Sequence, residues 1–260
     1  MNKQIMQNRD FMKCPSFTDA MAESDQSKGL PPPPHGKEIN GELITLPDFT
    51  EGSASPVTEA SYPTLLDIRR SVRVYDEDVP MSQAQLAFLL HSAQGIQEYR
   101  GANEAFTLRP APSGGARHPF ESYVAVKNVE GLEPGIYYYA PAENVGKKAV
   151  ALTYIAPLPA PEKITEMLVG QSWAAKAQAI VFLTCVAYRS EWRYAENSHR
   201  VILIDLGHVG QNLMLSAASM GLGSCCMAAY NQALCDEALA VDGVDEYTVY
   251  AVAVGVPKKA

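Results

Sequence analysis

Residues 199–223 read HRVILIDLGHVGQNLMLSAASMGLG, and the architecture follows from this stretch. Ile202, Leu206, Val209, Leu213 and Ala217 recur every three or four positions, the interval that gathers side chains on one helical face. Val201, Ile204 and Leu215 add apolar character on other faces. A helix that is apolar nearly all round must be covered on more than one side. The pattern therefore predicts a core or interface helix over 199–220. Gly207 and Gly210 leave room for another backbone to come close, and Gly221 and Gly223 supply the stop.

Outward from this helix, the pattern alternates between strand and helix signals. Residues 180–188 (IVFLTCVAY) are almost continuously apolar, as a strand covered on both faces should be. Residues 247–254 read the same way, and 231–239 predict a last short helix. Upstream, 120–127 (FESYVAVK) and 135–139 (GIYYY) are β-rich. A further strand is predicted over 149–155, reached through a turn at Asn144-Val145-Gly146. Ser82 with Gln85 three residues later is a capping-box signature, predicting a helix to about residue 97. Thr64, after Pro63, is the predicted N-cap of a short helix ending near Arg70. Helices and strands mix without a regular βαβ alternation and no internal repeat is visible, so the predicted class is α+β.

The chain has 260 residues, 47% of them hydrophobic, enough for a sizeable core. Residues 1–60 stand apart by composition, with a proline run at 31–34 and further prolines at 47 and 56. They read as a Pro-rich arm ahead of a domain over 61–260, the run itself extended and solvated. A disordered tail and an arm packed across the body or a partner both fit. Leu43-Ile44-Thr45-Leu46 is the segment apolar enough to dock. The net charge of −8 argues against nucleic acid, whose phosphates need a basic face. No run approaches the roughly 18 apolar residues of a membrane span, and the first 13 residues lack the apolar middle of a secretory signal. The predicted address is the cytoplasm. Five cysteines, an odd number with no C-x-x-C spacing, and five scattered histidines argue against a disulfide framework and a metal site. Cys225-Cys226 reads as apolar filler more readily than as a redox pair.

Three segments carry possible chemistry. Arg69-Arg70-Ser71-Val72-Arg73 packs three guanidiniums and a hydroxyl into five residues, suited to phosphate oxygens; a solvated run facing Asp76, Glu77 and Asp78 also fits. The segment from Pro112 to Pro119 (PSGGARHP) places two glycines before a strand, where a backbone can approach a ligand closely; Arg117 and His118 add polar handles, and a plain surface turn is the alternative. The third, from Gly221 to Tyr230 (GLGSCCMAAY), offers main-chain amides flanked by small side chains, or simply ends the helix. No G-x-G-x-x-G follows a strand and there is no P-loop.

In this order, R-R-S-x-R, P-S-G-G-x-R-H-P-x-E and D-x-G-H-x-x-Q-N-L leading to G-L-G make a set. The chain resembles the FMN-dependent nitroreductase family, specifically its SagB-type branch, which includes azoline dehydrogenases of modified-peptide pathways. The likeness spans about residues 62–256. It implies a nitroreductase-like sandwich, with a mostly antiparallel central sheet flanked by helices, as an intertwined homodimer with FMN in clefts at the interface. It implies that Arg69, Arg70 and Ser71 hold the FMN phosphate and ribityl chain, with Arg73 near the N1/O2 edge of the flavin. Pro112, Ser113 and Gly114 would line the ring from the partner subunit. Cys226, Met227, Ala228 and Ala229 would run past the dimethylbenzene and N5 side. Lys258 and Lys259 either add a phosphate cation or belong to a frayed terminus.

The implied activity moves a hydride from NAD(P)H to flavin N5 and on to a nitro, quinone or other small electrophilic acceptor. Alternatives are azoline oxidation on a modified peptide, a flavin-binding protein without NAD(P)H turnover, and a scaffold that has lost its cofactor. Azoline dehydrogenases of this branch carry a Lys-Tyr pair upstream of the long helix; here Arg193-Tyr194 stands at that place, and arginine cannot shuttle protons at neutral pH. No acid–base residue is fixed: Tyr194, His199 and water are all open as proton donors. His208 is read as a buried structural histidine paired with Asp205, and Gln211 and Asn212 as packing or cofactor-edge contacts.

Overall fold

The computed structural model describes residues 2–13, 16–39, 41–49, 56–58, 60–141 and 150–258. The Asn144-Val145-Gly146 turn, Cys14 and Lys259 lie outside these. In chain order come α1 (Lys3–Met12), α2 (Phe17–Ala22), β1 (Ile44–Thr45), α3 (Tyr62–Ile68), α4 (Gln83–Gln94), β2 (Glu98–Arg100), β3 (Phe106–Leu108) and β4 (Phe120–Val126). Then follow β5 (Gly135–Pro141), β6 (Val150–Pro157), α5 (Pro161–Met167), β7 (Ala179–Cys185), α6 (Tyr188–Tyr194), α7 (Ser198–Ser219), β8 (Gly223–Met227), α8 (Gln232–Leu239) and β9 (Tyr247–Gly255).

Seven strands form one sheet in the order β1-β6-β5-β4-β7-β9-β8, every neighbouring pair antiparallel. The α+β class is as the pattern predicts, and the antiparallel sheet flanked by helices is as the resemblance implies. Both faces of the sheet are covered. Val124, Val126, Tyr137, Tyr139, Val181 and Leu183 point into a core shared with α4 and α7. Their neighbours Tyr123, Ala125, Ile136, Tyr138, Ile180 and Phe182 point into a second core shared with α5 and α8. Because alternate residues enter different cores, β4, β5 and β7 are buried at every position, which is why they read as apolar runs.

The long helix falls where its periodicity puts it. Ile202, Leu206, Val209, Leu213 and Ala217 are all buried, while Leu203 and Ile204 are 56% and 54% exposed. Gly210 does lie against a neighbour, the Tyr250 ring, whereas nothing approaches Gly207 within the protomer. The stretch Tyr188–Ser219 is long and apolar enough by composition to cross a bilayer, but here its apolar stripe is spent on the sheet. The helix ends because Gly221 takes the left-handed φ of +71°. Gly223, read as part of that stop, instead opens edge strand β8, and an added Cβ there would sit 2.6 Å from Val72.

Smaller departures have local causes. The N-cap of α3 is Ser61, whose side chain accepts from Thr64 N, with Pro63 in the first turn. Thr64 is inside the helix. The Ser82/Gln85 capping box is present, but α4 stops at Gln94 because the chain leaves for the β2–β3 hairpin, with Gln97 N bonded to Leu108 O. β7 ends at Cys185 and Tyr188 starts α6.

Residues of the 1–60 segment lie across the body. Leu46 and Phe49 are buried in the first core, and Ile44 and Thr45 extend the sheet beside Leu152 and Ala151. Farther forward, Gln26 N donates to Trp192 O, Trp192 Nε1 donates to Leu30 O, and Arg109 donates to His35 O. Lys37 pairs with Glu246 at 2.6 Å.

Candidate active site

The cationic run begins where α3 gives out. Arg69 is the C-cap residue, its backbone N–H still bonded to Leu65 O. The chain then turns extended beside the sheet: Ser71 bridges Ser224, and Val72 N donates to Ser224 O at 3.0 Å. Tyr75 bridges Pro257, and Lys258 N donates to Val74 O at 3.1 Å. Three separated segments, 69–73, 223–227 and 257–258, therefore meet at one edge of the sheet. Between them and the C-terminal part of α7 lies a cleft of about 200 Å³. Arg69, Arg70, Val72, Met214, Ala218, Gly221, Ser224 and Pro257 are among its lining residues, and among the described residues no carboxylate lines it. A permanently cationic lining without a counter-charge suits a phosphate group. Arg70 bends back, Nη1 donating to Asp67 O and Arg69 O, so Arg69 is the guanidinium with no such internal bond. Arg73 sits apart, stacked on Trp173 at 5.6 Å.

Past the cleft, β8 carries Cys226 and Met227 toward Ala228 and Ala229. Met227 is buried, Cys226 half-buried, and the two alanines are exposed. Burial pushes the Cys226 thiol up to about 11 and that of Cys185 up to about 12. At neutral pH both are uncharged and poor nucleophiles, which for Cys226 is in keeping with the filler reading.

The glycine turn is elsewhere. Pro112 is exposed, and the Gly114–Ala116 turn includes Gly115 at φ +58°. It is pinned to the middle of α7: Ser113 Oγ donates to Asp205 Oδ2 at 2.7 Å and Gly114 N donates to the same oxygen at 3.0 Å. Ser113 Oγ also accepts from His118 N at 2.9 Å. Asp205 is thus a clamp on the turn. His208, expected to be its buried partner, is exposed; a residue three positions on falls on the rim of α7, while Asp205 faces inward. Gln211 is also exposed, and Asn212 packs as expected, its amide donating to Ser92 O. Nor is His118 a handle for a ligand. It is buried, with Nε2 3.1 Å from Thr107 O, and burial together with the charge of Arg109 takes its pKa down to about 3.

Asp205 and Met214 are nine residues apart on one straight helix, and Ala218 is four further. At 1.5 Å per residue this is about 14–20 Å. Within one protomer Arg69 and Arg70 share the cleft, with Ser71 bridged to Ser224 beside it. Lys258 is tied to Val74 by its backbone and its charge acts on Glu77, Cys226 lies against Gly210 of α7, and Ser113 and Gly114 are clamped farther along the helix at Asp205.

Burial raises the Asp205 carboxyl above its ordinary range, partly offset by the bonds from Ser113 and Gly114. The folded pKa then exceeds the unfolded one. Between the two values the folded state binds more protons, so stability falls as pH rises through that window. Asp205→Asn should remove this component while keeping an acceptor for Ser113 and Gly114. Denaturant titrations from pH 3.5 to 7 would show the gap between the two proteins shifting in favour of the variant as pH rises. A constant gap would mean that the carboxyl titrates as it does in the unfolded chain.

Two residues that sequence reading left without a role do structural work here. Glu121, last in the P-S-G-G-x-R-H-P-x-E segment, makes a buried ion pair with Arg189 of α6, and its other oxygen accepts from Tyr138 OH at 2.8 Å. Glu246 accepts from Tyr123 OH and Thr184 Oγ1. Nothing local marks such pairs, because the partners are far apart in the chain.

Comparison with known proteins agrees with this architecture. The nitroreductase family model matches residues 66–256. A candidate nitroreductase of Methanocaldococcus jannaschii is 29% identical over 187 residues, 72% of this chain and 84% of that protein. The trifolitoxin-processing protein TfxB of Rhizobium leguminosarum bv. trifolii is 40% identical over 121 residues, 44% of this chain but only 31% of that protein. Among solved structures, a candidate nitroreductase of Anabaena variabilis superposes with a TM-score of 0.59 at 26% identity, over 75% of this chain and 37% of that one.

Proposed function

This chain belongs to the nitroreductase family, and on that premise we propose that it is an FMN-dependent oxidoreductase taking hydride from NAD(P)H and passing electrons to a nitro, quinone or other small electrophilic acceptor. The observation that carries the reading is the carboxylate-free cationic cleft, which fits a flavin phosphate. When bound, FMN supplies the ring that accepts and returns the hydride. Arg69, Arg70 and Ser71, with Lys258 beside them, hold the phosphate end, and Arg73 is assigned to the flavin N1/O2 edge. Cys226 and Met227 pass along the ring, and the backbone amides of Ala228 and Ala229 face its N5 side.

Ser113 and Gly114, with Pro112 before them, are assigned to the ring as well. They sit about 14–20 Å along α7 from the cleft in the same protomer, and in this reading a second copy supplies them. The 56% and 54% exposure of Leu203 and Ile204, two large apolar side chains on the outer face of α7, supports a homodimer closing over that face. Asp205 then acts as a positioning residue that fixes the turn which one protomer presents to the other. Residues 1–60 are proposed as an arm bracing a flavin-binding domain over 61–260, and a cytoplasmic address belongs to the same reading.

A second reading keeps the flavin and changes the acceptor. The likeness to a trifolitoxin-processing protein favours membership of the SagB-type branch and a modified peptide as substrate. Against azoline oxidation stands Arg193, which keeps its proton and donates to Gln26 Oε1.

An absorption spectrum of the purified protein, before and after anaerobic NADH or NADPH, tests the proposal. Flavin bands near ~450 nm that bleach are the expected result. Failure to take up FMN would overturn it, and bound flavin that neither nucleotide reduces would leave a flavin-binding protein without this turnover.

A further inference from the structure

Beside the Asp205-clamped turn lies a group of cations that the flavin reading does not use. Arg117 stacks on Trp192 at 5.0 Å, Arg193 on Tyr194 at 5.6 Å, and Arg200 on Phe17 at 5.7 Å. The Tyr194 and Phe17 rings are themselves edge to face at 5.7 Å. Arg193 is pressed against the turn, since a Cβ on Gly115 would come within 2.6 Å of its Cδ and Nε. Arg117 Nε donates to Gly115 O at 3.0 Å.

No ion pair reaches any of the three among the described residues. Of the acids nearby, Glu191 is engaged with His199 at 2.9 Å, Asp205 with Ser113 and Gly114, and Glu121 with Arg189, while Glu196 faces solvent. Nε of Arg193 and of Arg200 is buried with no hydrogen-bond partner. Burial, and then the charge of Arg193, draw Arg117 below its ordinary range. Aromatic faces attract guanidiniums but do not neutralise them. In a chain of net charge −8, like charges held together with only neutral acceptors and no counter-ion ask for an anion.

We propose that Arg117 and Arg193, with Arg200 behind them on the same aromatic stack, form an oxyanion site that takes a carboxylate or phosphate group of the molecule docking beside the 112–116 turn. Its place next to a flavin rests on the function proposed above; its affinity for an anion does not. The 1–60 segment is part of the device. Phe17 and Gln26 seat Arg200 and Arg193, and the chain from Gln26 to Leu30 is bonded to Trp192 at both ends.

The chain has two tryptophans, so a Trp173→Phe background leaves Trp192, under Arg117, as the only indole. Titrating that protein with benzoate should quench its fluorescence saturably, and benzamide should not. Arg193→Gln should weaken benzoate at least tenfold, with Arg193→Lys, which keeps charge but not the fork, in between. Benzoate without saturable quenching, or Arg193→Gln with undiminished affinity, overturns the site. A turnover comparison then identifies the source of the anion. A tenfold fall in the kcat/KM ratio of 4-nitrobenzoate to 4-nitrobenzamide in Arg193→Gln assigns it to the acceptor. The same fall in the ratio of NADPH to NADH assigns it to the nucleotide phosphate. Both ratios unchanged in an active variant overturns the proposal. If the protein takes up no flavin, the functional reading fails on its own, and the fluorescence titration still decides the anion site.

Discussion

Glu121→Leu is expected to destabilise the protein by about 3–5 kcal/mol, because it strands a buried guanidinium. Arg189 and Glu121 side chains are 5% and 2% exposed, and Glu121 serves two donors at once, Arg189 and Tyr138 OH. Removing the acceptor leaves a positive charge and a hydroxyl without partners, well away from water. Arg189 Nη1 keeps only a 3.4 Å contact with His118 O, too long to compensate. Taking away both charges is a different matter: Glu121→Leu with Arg189→Met leaves an apolar contact of similar volume, which often costs little or even stabilises. Urea denaturation of the two single variants and the double variant measures the coupling directly. If the double variant is as unstable as the sum of the singles, the pair contributes nothing as a pair.

That ion pair shows where sequence reading stops. The long helix α7, helices α3, α4 and α8 and strands β4, β5, β6, β7 and β9 could be placed from period and punctuation because each is decided within ten or twenty residues, whereas β2, β3, α5, α6 and β8 were not read. Two-sided burial explains the apolar strands, and the Ser82/Gln85 capping box is a local bond. The mistakes fall where an outcome depends on what arrives from elsewhere. Gly223 looked like half of a helix stop, yet its lack of a side chain is used to let Val72 of a distant segment lie against β8. His208 and Asp205 are spaced to interact, and the histidine's charge does reach the carboxyl, but Asp205 is bonded to a serine 92 positions away and the histidine lies at the surface, not buried. The Arg193-Tyr194 pair was legible as a departure from a motif. Its aromatic stack with Phe17 and its meeting with Arg117 were not, because Phe17 belongs to a segment whose composition suggested only a tail or an arm. Of the candidate site, the cationic run and the turn were both visible, but not that one helix would hold them apart.

Arg69→Ala tests the cleft itself, and the expected result is FMN bound about 2–4 kcal/mol more weakly, or roughly 30- to 900-fold. Arg69 is half-buried in the wall of the cleft. Its part in capping α3 is a backbone bond, which alanine retains. The fold should therefore survive the change, and the loss should report the missing charge-assisted contact. Arg70→Ala should cost less, since Arg70 divides its donors with Asp67 O and Arg69 O. Arg69→Lys should fall between, keeping a point charge without the planar fork. Riboflavin provides the internal control because it has the same ring and no phosphate. Quenching titrations should show FMN affinity falling steeply in Arg69→Ala while riboflavin affinity barely moves. An equal loss for both would mean that Arg69 shapes the ring pocket, and no loss for FMN would place the phosphate outside this cleft.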